Sequence, residues 1–207
     1  MTCNLDIMAD LLLKAETSTD IDVLRGLEGK ASALYFECYG MFFGKNLPFH
    51  TASFLRVRRP PTDPVNSLLS FGYSLLHTNV FSMVQMSGLN PYIGFLHAER
   101  KGNPALVNDL VEEFRTVIDS LVLYTINRGL LHENDFYYRK DQPGCFLSND
   151  ARKRFLQIFE TRMWQESRDG YTGKTLNFRR HIEKQVRIMR DVISGTRTQY
   201  DPYKLVW

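Results

Sequence analysis

Cysteine is scarce in this chain of 207 residues: Cys3, Cys38 and Cys145 are the only three. They are odd in number and widely separated, and they offer neither a disulfide framework nor zinc-finger spacing, which suits a reducing cytoplasm. No apolar run approaches the ~20 residues needed to cross a bilayer, so no membrane association is expected. The stretch from Ile7 to Leu13 is interrupted by Asp10 and lacks a basic leader, which argues against a secretory signal. A glycine-rich phosphate loop is missing, as is the Gly-x-Ser-x-Gly elbow of serine hydrolases. Strand-like alternation, internal repeats and low-complexity linkers are also missing. Nucleotide chemistry of the P-loop kind, serine hydrolysis and a disulfide scaffold are thereby set aside.

What remains is a globular composition, 43% hydrophobic and 13% aromatic, in a chain long enough for one sizeable core. Helix signals dominate and the expected fold class is all-α. A first helix covers the opening residues to about Ala15, and a second runs from about Asp22 to Tyr39. Residues 44–61, with Pro48 and the pair Pro60-Pro61, read as a loop. Asp63 as N-cap and Pro64 in the first turn open a long helix that stops before Gly88. Asn103-Pro104 repeats that pattern and opens another helix, closed near Gly129, with Leu106, Leu110, Phe114, Val117, Ile118 and Leu121 as its buried stripe. Asn149 or Asp150 caps a helix to about Ser167, and a last one spans residues 176–194. Strand pairing is left open only near Phe136–Tyr138 and residues 173–177.

Charge is unevenly spread. Residues 147–207 carry thirteen Lys or Arg against seven Asp or Glu, and Arg58 and Arg59, with Arg56, form a compact cluster upstream. Such clusters suit a polyanion, although many are solvated faces. On the last helix Arg180, Lys184 and Arg187 recur at i, i+4 and i+7, so one face could track a phosphate backbone. The expected DNA-contacting set is Arg58, Arg59, Lys153, Arg179, Arg180, Arg187 and Arg190.

Candidate chemistry begins at Glu28, which falls inside the apolar stripe of Leu24, Leu27, Ala31, Leu34 and Tyr35. A carboxylate buried there costs several kcal/mol, roughly, unless a cation, a metal or a proton compensates it. His97, in Gly94-Phe95-Leu96-His97, and the run Asp109-Leu110-Val111-Glu112-Glu113 carry matching chemistry. Asp109, Glu112 and Glu113 share one flank of their helix, where they repel one another unless a cation intervenes. Alone, that flank reads as a solvated acidic face partnered by Arg115 and Arg100. With Glu28 and His97 it offers hard oxygens, one imidazole and no thiolate, a set that favours Mg²⁺ or Mn²⁺ over zinc. His50, His77, His132 and His181 show no ligand spacing and are read as structural.

The segments Leu24-Arg25-Gly26-Leu27-Glu28-Gly29, Arg58-Arg59-Pro60-Pro61-Thr62-Asp63-Pro64, Leu89-Asn90-Pro91-Tyr92-Ile93-Gly94-Phe95-Leu96-His97 and Asp109-Leu110-Val111-Glu112-Glu113-Phe114-Arg115 resemble, in this order, the CRISPR-associated integrase/endonuclease family of spacer acquisition. Arg154-Phe155-Leu156-Gln157 and Phe178-Arg179-Arg180-His181 extend the resemblance to roughly residues 20–207. The resemblance implies a divalent metal, Mg²⁺ or Mn²⁺, bound through Glu28, His97 and Glu112, with Asp109 as a further catalytic acid close by. It implies a DNA endonuclease/integrase that joins protospacer ends into the CRISPR array. Its partners would be double-stranded and branched DNA, a small ferredoxin-like adaptation protein and, in the full-length family, a second copy. It also implies a cytoplasmic, prokaryotic setting. Ala105 stands where the family usually has Ser, and Thr116 where it has Pro. The family's N-terminal β-rich domain is not matched, so residues 1–20 are expected to be a helical lead-in and residues 21–207 the helical metal-dependent nuclease/integrase domain. The competing readings are a catalytically silent DNA-binding or assembly subunit and a helical interaction protein with a structural Glu–Arg pair.

Overall fold

Asp63 and Pro64 set the start of the helix around which the molecule is built. The computed structural model, which describes residues 2–98 and 100–205, places helix α3 at Pro64–Met86. Asp63 accepts a hydrogen bond from the Asn66 backbone N–H at 2.9 Å, and Gly88 closes the helix at φ +75°. Leu68, Leu69, Leu76, Val80 and Val84 on α3 are fully buried. Before it come α1 (Thr2–Thr17) and α2 (Ile21–Tyr39), which pack on each other. After it come α4 (Ala105–Glu112), α5 (Arg115–Asn127), α6 (Asn149–Trp164) and α7 (Phe178–Ile193). Helices α4, α5 and α7 pack around α3, and α6 bridges α5 and α7. All six residues of the stripe from Leu106 to Leu121 are buried, as their spacing requires.

Two antiparallel hairpins interrupt the helices, where strand pairing had been left open. Strand β1 (Phe136–Tyr138) pairs with β2 (Cys145–Leu147), and β3 (Glu166–Arg168) with β4 (Thr175–Asn177). Both are only three residues long per strand, so the architecture remains that of an all-α domain. The caps differ in detail from expectation: Ser148, rather than Asn149 or Asp150, caps α6 by accepting from the Ala151 N–H at 3.2 Å. Asn103 does not cap α4; its side-chain oxygen accepts from Asn108 Nδ2 at 2.8 Å, while its own amide nitrogen donates to the Ala98 carbonyl.

The single helix expected from Asn103 to Gly129 is two helices. It breaks at Phe114, whose N–H turns back to the Val111 carbonyl at 3.0 Å. Residues far along the chain meet at this break. Glu113 accepts from the Tyr203 N–H at 2.7 Å, from Gln185 Nε2 at 3.0 Å and from the Tyr200 hydroxyl. The Phe114 ring stacks on Tyr203 at 4.9 Å. The C-terminal tail is thus anchored at the break, and burial pushes the Glu113 carboxyl above its usual range. Cys38 and Cys145 are free thiols; the Cys3 side chain lies outside the described residues. No described helix is long and apolar enough to cross a membrane.

Candidate functional site

Three segments far apart in the chain meet at one cleft of about 1040 Å³. Helix α2 brings Glu28, the loop before α4 brings His97, and the last turn of α4 brings Glu112. The wall of α3 contributes Tyr73, Ser74, His77 and Thr78, and the segment before α3 contributes Arg58 and Arg59.

Asp109 fixes the His97 loop. Its Oδ2 accepts from the Phe95 and Leu96 N–H groups at 2.6 and 3.2 Å, and its Oδ1 accepts from the His97 N–H at 2.9 Å. The His97 ring donates from Nδ1 to the same Oδ1 at 2.7 Å. Both carboxylate oxygens are therefore taken, and the imidazole keeps Nε2 as its lone-pair donor. Asp109 acts here as the group that orients His97. Gly94 makes the arrangement possible: a Cβ there would lie 2.7 Å from Asp109 Oδ2 and 2.8 Å from the Ala105 Cβ. Arg25, one turn before Glu28, ties the same loop to α2 by donating from Nε to the Leu96 carbonyl at 2.5 Å.

Glu28 is half-buried, and no described residue pairs with it. The expectation of a fully buried charge is corrected, because the first half of α2 borders the cleft and the α2 core begins only at Phe36 and Tyr39. The shared acidic flank of α4 is corrected as well. Asp109 faces the loop, Glu113 faces the C-terminal tail, and Glu112 pairs with Arg115 at 2.7 Å. Among the described residues, no group of three or more His, Cys, Asp or Glu stands close enough to hold a metal ion as arranged. The donor types of Glu28, His97 and Glu112 nonetheless suit a hard divalent cation, and Glu112 is the one already engaged by a guanidinium.

Beneath the cleft lies a buried polar layer that the sequence did not announce. The Arg115 guanidinium lies over the rings of Tyr73 at 5.3 Å and Phe36 at 6.0 Å. Tyr73 donates its hydroxyl to Asp119, and Tyr39 donates to the Asp119 carbonyl at 2.7 Å. Burial pushes the Asp119 carboxyl up to about 6, against the hydrogen bond from Tyr73 and the charge of Arg115, which act the other way. Arg56 is held by Asn66 Oδ1 at 2.8 Å and Ser70 Oγ at 3.0 Å, and desolvation lowers its pKa.

Of the seven cations expected to contact DNA, Arg58 and Arg59 line the cleft. Lys153, Arg179, Arg180, Arg187 and Arg190 do not, and each is engaged by a carboxylate. His181 is fully buried and bonds the Ser167 carbonyl at 2.9 Å, and His50 bonds the Phe43 carbonyl at 2.9 Å, both in keeping with structural roles. His77 stacks on Phe81 at 6.3 Å and also lines the cleft, and partial burial lowers its pKa. Helical spacing from Tyr73 to His77 was the one sequence signal that could have placed it there.

Residues 1–161 match the family described as CRISPR associated protein Cas1. The chain belongs to the Cas1 family. A CRISPR-associated endonuclease Cas1 of Thermus thermophilus is 39% identical over 197 residues, covering 95% of this chain and 58% of that protein. A CRISPR-associated exonuclease Cas4/endonuclease Cas1 fusion of Rhodospirillum rubrum is 39% identical over 202 residues, covering 96% of this chain and 34% of the fusion. Among solved structures, a Cas1 protein from Thermotoga maritima superposes with a TM-score of 0.80 at 26% identity, covering 96% of this chain and 60% of that one. A chain of a Cas6-RT-Cas1–Cas2 complex gives 0.84 at 27% identity, covering 99% of this chain and 22% of that one. The chain thus spans little more than half the length of the Thermus Cas1.

Proposed function

We propose that the cleft binds DNA and that the chain acts as a metal-dependent endonuclease/integrase of CRISPR adaptation; its Cas1 relatives are named as CRISPR-associated endonucleases. The observation that carries this reading is the meeting of Glu28, His97 and Glu112 on one cleft whose rim holds Arg58 and Arg59. The reaction is in-line attack by a 3′-hydroxyl on a phosphodiester of the array: a new phosphodiester forms and the old one breaks, leaving a free 3′-hydroxyl. Glu28 and Glu112 would hold Mg²⁺ or Mn²⁺ through oxygen, and His97 through Nε2. When bound, such an ion supplies positive charge to the attacking and leaving oxygens. The chain's own residues do the remaining work. Arg58 and Arg59 hold phosphates, Asp109 keeps the imidazole in one tautomer, and Arg115 holds Glu112 only while no ion is bound. Duplex and branched DNA are the proposed substrates. A small ferredoxin-like protein and a second copy of the full-length protein are the proposed partners, and the cytoplasm of a prokaryote is the proposed setting.

Incubating the chain with branched DNA and Mn²⁺ tests this. Cleavage or strand joining that Glu28→Ala, His97→Ala and Glu112→Ala each abolish, with DNA affinity kept, is the expected result. Activity that survives without metal, or in all three variants, contradicts it. A second reading, a silent DNA-binding or assembly subunit, is favoured by one observation: Glu112 is paired with Arg115 and no three-donor cluster is formed among the described residues. DNA binding with no turnover in Mn²⁺ is its signature.

A further inference from the structure

Arg115 stands between two carboxylates in unequal settings. It opens α5, with Glu112 three residues before it and Asp119 one turn further along the same helix. Residues at i and i+4 share a helix face, so the Arg115 and Asp119 side chains are neighbours. Glu112 borders the cleft, whereas Asp119 is only 3% exposed. The Arg115 guanidinium is paired with Glu112 at 2.7 Å, with the rings of Tyr73 and Phe36 beneath it.

A buried carboxylate is costly without a cation to compensate it. Asp119 instead accepts the Tyr73 hydroxyl, and among the described residues no cation forms an ion pair with it. Burial pushes its carboxyl up to about 6, against the nearby charges of Arg115 and Arg56. Arg56 is committed elsewhere: it donates to Asn66 Oδ1 and the Val57 carbonyl at 2.8 Å and to Ser70 Oγ at 3.0 Å. Arg115 is therefore the cation within reach of Asp119, and rotation of its own side chain brings it there. The aromatic rings below offer the guanidinium a favourable face in either position.

We propose that Arg115 passes from Glu112 to Asp119 when the metal centre fills, so that Asp119, which touches no metal, sets how tightly the cleft holds a divalent cation. The inference rests on the metal reading of the cleft and adds to it the group that receives the displaced charge. Opening Glu112 for a divalent ion requires Arg115 to leave it. A guanidinium left without a carboxylate beside a second positive charge would oppose that opening, because the site is only partly solvated. Asp119 removes this penalty. Tyr73 tunes it, since its hydroxyl competes with Arg115 for the same carboxylate. Asp119 and Tyr73 are thus positioning residues that act on the centre through Arg115.

Calorimetric titration of the full chain with Mn²⁺ alone, at about pH 8 where Asp119 is ionised, tests the proposal without DNA or turnover. Asp119→Asn should weaken Mn²⁺ binding about fivefold or more, and Arg115→Met should tighten it. In the Arg115→Met background, Asp119→Asn should change the affinity by less than about twofold. Tyr73→Phe keeps the ring and removes the competing hydroxyl, so it should tighten binding. That gain is opposite in sign to any loss from disturbed packing, so Tyr73→Phe reports even if a charge variant fails to fold. Unchanged affinity in Asp119→Asn, an equal loss once Arg115 is gone, or weaker binding in Tyr73→Phe overturns the transfer and leaves the metal reading standing. A wild type that binds no Mn²⁺ removes the transfer and the metal reading together.

Discussion

The rim of the cleft and the C-terminal third are both rich in arginine, yet their cations face different things. Arg58 and Arg59 are exposed on the cleft rim with no ion-pair partner among the described residues. In the C-terminal third, Arg179 sits on Glu160 at 2.6 Å, Arg180 on Glu183 at 2.6 Å, and Arg190 on Asp191 at 2.9 Å. Arg187 shares Glu183, and Lys184 is held by the buried Asp169 at 2.5 Å. A phosphate meeting this second region must compete with carboxylates already in place, whereas one meeting the first need not. A local excess of basic residues therefore says little about where a polyanion docks until their pairings are known.

The largest expected effect separates chemistry from binding. Glu28→Ala, His97→Ala or Glu112→Ala should bring Mn²⁺-dependent cleavage or joining below detection, while DNA affinity in filter-binding or anisotropy stays within about threefold. Equal loss of both quantities in all three variants would mean that these side chains hold the DNA and the division between acidic and basic groups is not real.

Next in size comes the support of His97. Asp109→Ala removes four hydrogen bonds from the loop of residues 95–97 and should lower turnover about 10- to 100-fold with little change in DNA affinity. Gly94→Ala should act in the same direction, because its Cβ has no room beside Ala105 and Asp109. Kinetics like the wild type's in both variants would show that the imidazole needs no fixing.

The two basic regions can be set against each other directly. Neutralising Arg58 and Arg59 together should weaken DNA binding and reduce its salt slope by roughly one unit per lost phosphate contact. Neutralising Arg180, Arg187 and Arg190 should change the slope less, and each lost surface pair should cost no more than about 1 kcal/mol of stability. A steeper loss from the second set reverses the comparison.

Much of the fold was legible in the sequence because its determinants are local. Asp63-Pro64, the stripe from Leu106 to Leu121 and the glycine at position 88 each specify their element within a few residues. The break at Phe114 was not legible, and the residues that bond Glu113 beside it, Tyr200 and Tyr203, lie almost ninety residues downstream. For the candidate site, the family resemblance singled out Glu28, His97 and Glu112, and the three line one cleft. The hold of Arg25 on the Leu96 carbonyl was not legible, nor was the placing of Arg115 over the Tyr73 and Phe36 rings, because helical spacing encodes neither contact, although Arg115 was expected beside the acidic flank. Of the C-terminal pairings, Arg180–Glu183 and Arg187–Glu183 follow helical spacing, whereas Arg179–Glu160 and Lys184–Asp169 join separate elements and were hidden in the sequence.

A further effect, on stability, concerns the layer beneath the cleft. The Asp119 carboxyl titrates near 3.8 in an unfolded chain and is pushed up to about 6 in the folded one. Between those values the folded state holds the extra proton, so this residue's contribution to stability falls as pH rises from about 4 to about 6. Relative to the wild type, Asp119→Asn should gain stability across that window, by at most about 3 kcal/mol for a shift of this size. Urea melts of the two proteins at pH 4 and pH 7 read the difference, and a gap that does not change with pH removes Asp119 as its source.

The central claim, that three distant segments form one metal-dependent centre, meets its most direct measurement in anomalous diffraction from crystals of the chain grown with Mn²⁺. The account predicts one peak within roughly 2.0–2.3 Å of a Glu28 oxygen, a Glu112 oxygen and His97 Nε2, with Arg115 drawn off Glu112. A saturating manganese concentration that leaves the Glu112–Arg115 pair closed and places the ion elsewhere, or nowhere, contradicts it.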